Sequence, residues 1–492
     1  MRCPVRHPVV LLPGILGSVL EGPAGPLWAP GLPVLRALAA LRDPGAAGHP
    51  LNPDPQGPPV TASRLFPDVA VLPGLIRIRG YSQTEAWLRR HFAVHDVPGG
   101  GLLTFPYDWR LDNRVHAHRL AKEIDAHLRA FRERTGAGEA KAVIVAHSMG
   151  GLIARYYLEV LGGWRDCRAL ITLGTPHRGS PRALDALANG HRHLPGVAAL
   201  TRRLPSVHQL LPVYPVLDAG PGHRRLAEAG PLPGPDPELL ADAVEFHREI
   251  ETATGGPAQG PRVLVPVVGT GQRATLQSAR LDGGAVRCTT DPPGPRVPAE
   301  LADGDGTVPR LSAMPARLPE YRCRFVAEAH GALQLPRVLT GQLLELVRHL
   351  QLPDLRDILG PATAPAAPVP AAISSELDDA YPGTAPVLLR ARAVGGTRPP
   401  TRLHASVTGD DGAAYEVDLR RTSEVGDTWY EAERTLPPGL YGVLLTADSG
   451  APEPDPVRDC FAVLPDGAED RGPSGGSPYR ASRGHGSASE RP

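Results

Sequence analysis

The sequence predicts an α/β fold, a mostly parallel sheet covered by helices, followed by a small C-terminal β-sandwich. Three observations carry this. Short apolar runs alternate with amphipathic helical stretches as far as about residue 355, the pattern of a parallel sheet with helices on both faces. Residues 180–260 break that rhythm and are far too long for a connection between strand and helix. Beyond the Pro/Ala stretch "LGPATAPAAPVPAA" (359–372), the pattern changes to six short alternating runs separated by Gly, Pro and Asp.

In chain order, "PVVLLPG" (8–14) reads as a short buried strand and "GLLTFPYDW" (101–109) as a second. A helix follows at about 115–134, with Leu120, Ile124, Leu128 and Phe131 on one face. "KAVIVAHSMGGLIARYY" (141–157) is a buried strand turning sharply into a helix. "RALITLGTP" (168–176) and "RVLVPVVGT" (262–270) are further strands, and "YRCRFVAEAH" (321–330) is the last, before a helix at about 335–350. Within 180–260, Asp236 caps a helix that Pro237 opens, with Leu239, Ala243, Phe246 and Ile250 along one side. This insertion is read as a lid or substrate-binding subdomain. The expected organisation is a catalytic unit over 1–358, a linker over 359–375, an Ig-like sandwich over 376–466 and a disordered tail over 467–492.

Composition narrows the function. The 492 residues carry 52 basic and 52 acidic side chains, so nothing points to nucleic acid or to an anionic membrane surface. Lys122 and Lys141 are the only lysines, a bias of coding rather than of chemistry. The five cysteines are far apart, odd in number and without C-x-x-C spacing, which suits free thiols in a reducing compartment. The apolar run Val9–Leu12 is too short for a secretory signal, and no run is long enough for a transmembrane helix. A cytoplasmic protein is expected, with peripheral membrane contact left open.

The chemistry starts at "AHSMGG". A serine hydroxyl is a poor nucleophile unless a base takes its proton and an acid orients the base. The sharp turn at Ser148 pushes its side chain outward, as in the Gly-x-Ser-x-Gly elbow, except that Ala146 replaces the first glycine. In the α/β-hydrolase arrangement the acid and then the histidine follow the serine in the chain. "LADGDGTVPRLS" (301–312) offers Asp305 between two glycines, with Asp303 as runner-up, and "EAHGALQLP" places His330 at a strand end. For the oxyanion, the backbone N–H of Met149 is one donor. The other is expected from the loop "LLPGILGS" (11–18), best from Ile15. His147 is expected to point away from the nucleophile, His177 to line the pocket, and Asp108 and Arg110 to form a structural ion pair. Asp166, Asp236 and the His191/His193 pair have no metal-ligand companions, and acyl transfer through serine needs no metal or cofactor.

"LLPGILGS", "FPYDWR" (105–110), "AHSMGG" (146–151), "LGTPHRGS" (173–180) and "GDGTVP" (304–309) occur in this order. Together they resemble the lecithin:cholesterol acyltransferase-like lipases and acyltransferases of the α/β-hydrolase superfamily, over about residues 8–350. The resemblance implies a Ser–Asp–His triad on Ser148, Asp305 and His330, an oxyanion loop at Ile15, and acyl esters, lipids first among them, as substrates. The elbow alanine, the absence of a disulfide pattern and the absence of a signal depart from the secreted members. A serine esterase or lipase is the first reading. A lipid O-acyltransferase is its near rival, and a silent hydrolase-fold interaction protein is the alternative from another class. The sandwich lies outside the resemblance and is open to a protein partner.

Overall fold

The computed structural model describes residues 2–43, 49, 51–53, 59–95, 97–220, 222–255, 262–272, 274–294, 297, 302–352, 372–394, 400–423, 428–448 and 454–465. Among these, six parallel strands form the central sheet: β1 (Val9–Leu12), β2 (Leu102–Thr104), β3 (Ala142–His147), β4 (Cys167–Leu173), β5 (Leu264–Gly269) and β6 (Arg324–Val326). Their order is β6-β5-β4-β3-β1-β2. The register pairs Leu12 with Ala146, His147 with Leu173, and Gly269 with Val326, so the carboxyl ends of β1, β3, β4, β5 and β6 lie together. Loops at that edge of a parallel sheet are where α/β folds build their sites.

The central strands β1, β3 and β4 are buried throughout, which is why their sequences are continuous apolar runs rather than alternating ones. Helix α1 (Asn113–Thr135) begins where the Asp112 carboxylate accepts the Arg114 N–H at 2.7 Å and ends at Gly136 in the left-handed conformation. It buries Leu120, Ile124, Leu128 and Phe131, as the periodicity predicts. Helix α2 (Met149–Arg155) follows Ser148 and runs on as a π-turn over Tyr156–Val160.

The insertion holds helix α3 (Pro181–Ala188), two shorter helices at Gly196–Thr201 and Pro205–His208, and α4 (Pro237–Thr254). Asp236 caps α4 as expected, but Leu240 rather than Leu239 is the buried position. The last helical stretch, Pro336–His349, carries a π-turn at Leu339–Leu343. Sequence periodicity passed over a hairpin of Ala70–Leu72 with Ile76–Ile78, whose strands are only three residues long.

The C-terminal unit has the six expected strands and two more: β7 (Ala372–Ser375), β8 (Ala380–Pro382), β9 (Val387–Val394), β10 (Leu403–Gly409), β11 (Ala414–Ser423), β12 (Thr428–Arg434), β13 (Gly439–Ala447) and β14 (Val457–Leu464). They form one curled sheet in the order β7-β9-β12-β11-β10-β13-β14-β8. Its two halves join because β11 pairs with β10 through Leu419 and with β12 from Arg420 on. Alternate positions along these strands face inward, so Leu389, Ala405, Val407, Val443 and Phe461 are buried in a core of their own. Of the stretch read as a linker, 359–371 lies outside the described residues, and Ala372–Ser375 is the strand β7. The tail read over 467–492 also lies outside them.

Candidate active site

Ser148 sits between β3 and α2 with φ 51° and ψ −124°, a left-handed backbone that few non-glycine residues adopt. Small neighbours permit the turn. A Cβ on Gly150 would lie 2.3 Å from the Pro13 carbonyl oxygen, and one on Gly151 would lie 2.0 Å from Thr175 Oγ1. Ala146, the departure from the usual glycine, is fully buried within β3 opposite Leu12 and Thr172, where its methyl group is accommodated.

Ser148, Asp305 and His330 are brought together. Ser148 Oγ lies 2.8 Å from His330 Nε2, and His330 Nδ1 lies 2.7 Å from Asp305 Oδ2. The other carboxylate oxygen of Asp305 accepts the N–H groups of Thr307 and Val308 at 3.0 and 2.7 Å, and the His330 N–H donates to the Asp305 carbonyl at 2.8 Å. All three side chains are at most 2 % exposed. Asp303, the runner-up, instead accepts the N–H groups of Gly271 and Gly304 and pins the turn. Gly174 backs the acid–histidine pair: a Cβ there would lie 3.0 Å from both Asp305 Oδ2 and His330 Nδ1, which explains the glycine of "LGTP".

The loop after β1 carries Ile15 beside Ser148. Neither the Ile15 nor the Met149 backbone N–H has a hydrogen-bond partner among the described residues. The "FPYDWR" segment fastens this loop: the Tyr107 hydroxyl donates to the Pro13 carbonyl at 2.9 Å, and the Tyr107 N–H donates to Ser18 Oγ at 3.0 Å. Asp108 and Arg110 form the expected buried, two-pronged ion pair at 2.8 and 2.7 Å.

Two residues that sequence reasoning set aside or missed join the loop to the histidine. The Tyr81 hydroxyl accepts the Gly14 N–H at 2.7 Å, so its own proton goes to His147 Nδ1, also at 2.7 Å. This assigns the His147 proton to Nε2, which donates to the His330 carbonyl at 3.0 Å. Burial, with His330 adjacent, lowers the His147 pKa to about 3, so the ring is neutral and fits this role. Both ring nitrogens are engaged by Tyr81 and the His330 carbonyl, and the network was not legible: Tyr81 is 66 positions away in the chain.

Ser148 lines a small pocket. Ser180, Ala183 and Leu210 from the insertion, Ile15, and Leu75 and Ile76 from the hairpin help wall it, and Arg182 is its charged residue. His177 is not part of this wall. It is buried with Nε2 3.2 Å from Thr172 Oγ1, and burial together with Arg155 and His247 holds its pKa well below the usual value. The rings of His191 and His193 lie 5.6 Å apart. Among the described residues no group of three or more His, Cys, Asp or Glu could hold a metal ion.

Fold and site define the class: a parallel α/β fold of the hydrolase type with an inserted helical segment and a C-terminal β unit. Residues 75–213 match the sequence model of the family described as Lecithin:cholesterol acyltransferase, which bears out the resemblance carried by the motifs. The match supports a lipid acyl-ester hydrolase or acyltransferase. Two similar solved structures are those of the Bacillus licheniformis lipase BlEst2. The mature form is 14% identical, with 70% of this chain and 94% of that one covered and a TM-score of 0.36. The propeptide form is 12% identical, with 93% of each chain covered and a TM-score of 0.36. No curated protein matches the chain in sequence. Among the described residues no helix is long and apolar enough to cross a membrane.

Proposed function

We propose that the protein is a serine hydrolase of carboxylic acyl esters, with lipid esters as its substrate class. The observation that carries this reading is the unbroken line from Asp305 Oδ2 through His330 to Ser148 Oγ, with the backbone N–H groups of Ile15 and Met149 unpartnered among the described residues. Ser148 Oγ attacks the ester carbonyl carbon while His330 Nε2 takes its proton. The carbonyl oxygen becomes an oxyanion that the Ile15 and Met149 N–H groups stabilise. Asp305 holds the imidazole orientation and stabilises its cationic form. The protonated His330 then gives its proton to the leaving alkoxide, which departs as the alcohol and leaves Ser148 acylated. Water, deprotonated by the same histidine, releases the acid and restores the serine.

The segment over 180–260 acts in this reading as the lid, and its Ala183 and Leu210 with Leu75 and Ile76 of the hairpin form the acyl pocket. One observation favours acyl transfer as a second reading. Ser148 and His330 are almost fully buried, and a site that excludes water protects an acyl-enzyme for an alcohol acceptor. The five free cysteines support a reducing compartment as the place of action.

Hydrolysis of p-nitrophenyl esters from short to long chains, wild type beside Ser148→Ala, tests the proposal. Loss of kcat on the order of 10⁴-fold or more is expected. Added alcohols that divert product from acid to ester would select the transferase reading. A folded wild type that neither turns over esters nor reacts with a fluorophosphonate probe at Ser148 would refute both.

A further inference from the structure

The C-terminal sheet has no role in the chemistry just described, yet its buried polar residues converge on the site from outside. Gln272 follows the end of β5, pairs along the chain with Asp305, and donates its N–H to the Gly304 carbonyl at 3.0 Å. Its side chain leaves the catalytic unit altogether. Nε2 donates to the Ile373 carbonyl at 3.0 Å, and Oε1 accepts from the Ser375 N–H at 3.1 Å, the Ser375 hydroxyl proton going to Asp459. Ser375 Oγ lies 2.6 Å from Asp459 Oδ2, and Asp459 Oδ1 lies 2.7 Å from Arg77 Nε. Arg77 also meets Asp379 at 3.4 Å and the Leu377 carbonyl at 3.1 Å, and Asp379 accepts the Gly74 N–H at 2.8 Å.

Gly74 and Arg77 flank Leu75 and Ile76, the hairpin residues that wall the Ser148 pocket. The chain of bonds therefore runs from the loop of the acid, through β7 and β14 of the C-terminal sheet, to the pocket wall. A second link stands beside it: Glu328, two residues before His330, accepts the Arg458 N–H of β14 at 2.7 Å.

We infer that the C-terminal sheet is part of the catalytic unit, fixing the Asp305 loop to the pocket hairpin through Ser375, Asp379 and Asp459, with Gln272 and Arg77 as positioning residues. Apolar contacts alone would hold two units together. A guanidinium largely shielded from water between two carboxylates, its side chain 17 % exposed, is costly unless its geometry is kept, and here it serves to fix one arrangement rather than to add stability. Gln272, Asp379 and Asp459 are each at most 9 % exposed, so water does not replace a lost partner. Burial works against the charge on Arg77, but Asp459 and Asp379 hold its pKa above the ordinary value.

The inference rests on the hydrolase reading, and the test separates the two. In the full chain, Gln272→Met, Asp459→Asn and the milder Ser375→Ala are compared with Leu389→Ala, which thins the apolar core of the C-terminal sheet without removing a hydrogen bond of this network. The readouts are kcat and KM on p-nitrophenyl esters, the rate of fluorophosphonate labelling at Ser148, and Tm. The expected result is a fall in kcat and labelling rate of about 10- to 100-fold for Gln272→Met and Asp459→Asn. Ser375→Ala should lose roughly three- to tenfold by removing one link of the same chain. Leu389→Ala should keep kcat within about twofold at temperatures below its Tm, whatever the loss in Tm. Wild-type kcat in folded Ser375→Ala and in either of the other two would overturn the inference while the hydrolase reading stood. So would a fall in kcat in Leu389→Ala equal to theirs, which would reduce the network to general stability. A rise in kcat would overturn it as well, because the sheet would then restrain the site. A wild type that neither turns over esters nor labels at Ser148 would remove the hydrolase reading and this inference with it.

Discussion

Replacing Tyr81 by phenylalanine removes one oxygen atom and leaves the ring, which is fully buried, in place. That oxygen is the partner of two groups, the Gly14 N–H and His147 Nδ1, both at 2.7 Å. Neither can turn to water, because His147 is fully buried and Gly14 lies against Ser148: a Cβ on Gly14 would be 2.9 Å from Ser148 Cβ. A buried polar group left unpaired costs about 1–3 kcal/mol, so two predict a loss of folding stability of about 2–6 kcal/mol. Gly14 immediately precedes Ile15, whose N–H is one of the two proposed oxyanion donors. Complete loss of such a donor costs about 100- to 1000-fold in rate. Loosening it without removing it predicts a fall in kcat of about 10- to 100-fold, with KM changed by less than about threefold, because the donor acts on the transition state. Urea denaturation gives the first quantity, and initial rates on a short p-nitrophenyl ester give the second. A Tyr81→Phe protein with kcat within about twofold of wild type and an unchanged denaturation midpoint would refute the account of this network.

Two further outcomes follow. Asp305→Asn should lower kcat by about 10⁴-fold, since the amide no longer stabilises a histidine cation. Asp303→Asn, which keeps an acceptor for the turn, should lower kcat by less than about tenfold, and steady-state rates of the pair decide which carboxylate serves His330. Stability should fall in mild acid. Burial lowers the folded pKa of His116 and His247 to about 4 and that of His147 to about 3. As pH drops below about 6.5, the unfolded chain takes protons that these folded residues refuse, so each removes on the order of 2 kcal/mol by pH 5. Glu328, raised by burial to about 7, acts in the opposite sense, because its folded form takes a proton first, and it offsets on the order of 2 kcal/mol. The denaturation midpoint should therefore be lower at pH 5 than at pH 7.5, and a higher one would refute the assignment of these histidines as neutral and buried.

Much of the central architecture was legible because the central strands β1, β3 and β4 are buried on both faces. Val143 to Ala146 and Ala169 to Leu173 needed no partner information to read as strands. Helix α1 was legible for the same reason, an apolar face at helical spacing closed by a capping Asp112 and a terminal Gly136. The hairpin over residues 70–78 was not, because three-residue strands carry too little alternation to stand out. Strand β7 was hidden by the proline and alanine that precede it, and its pairing with β9 is a tertiary matter. Within the site, Ser148 was marked by its glycines and the order of acid and histidine by the fold. Tyr81, Gln272 and Arg77 carry no local signature: their side chains acquire meaning only from atoms 66, 101 and 300 positions away.

By itself, then, the sequence determined the elements whose pattern is local: the parallel strands, the elbow at Ser148, the small residues around it and the candidate partners Asp305 and His330. Only the tertiary structure decided which aspartate meets the histidine, that Leu75 and Ile76 wall the pocket, and that the C-terminal sheet reaches the acid's loop. The physical reason is that hydrophobic periodicity and turn chemistry act between near neighbours in the chain, whereas a hydrogen bond between buried side chains forms only after the chain has closed around it.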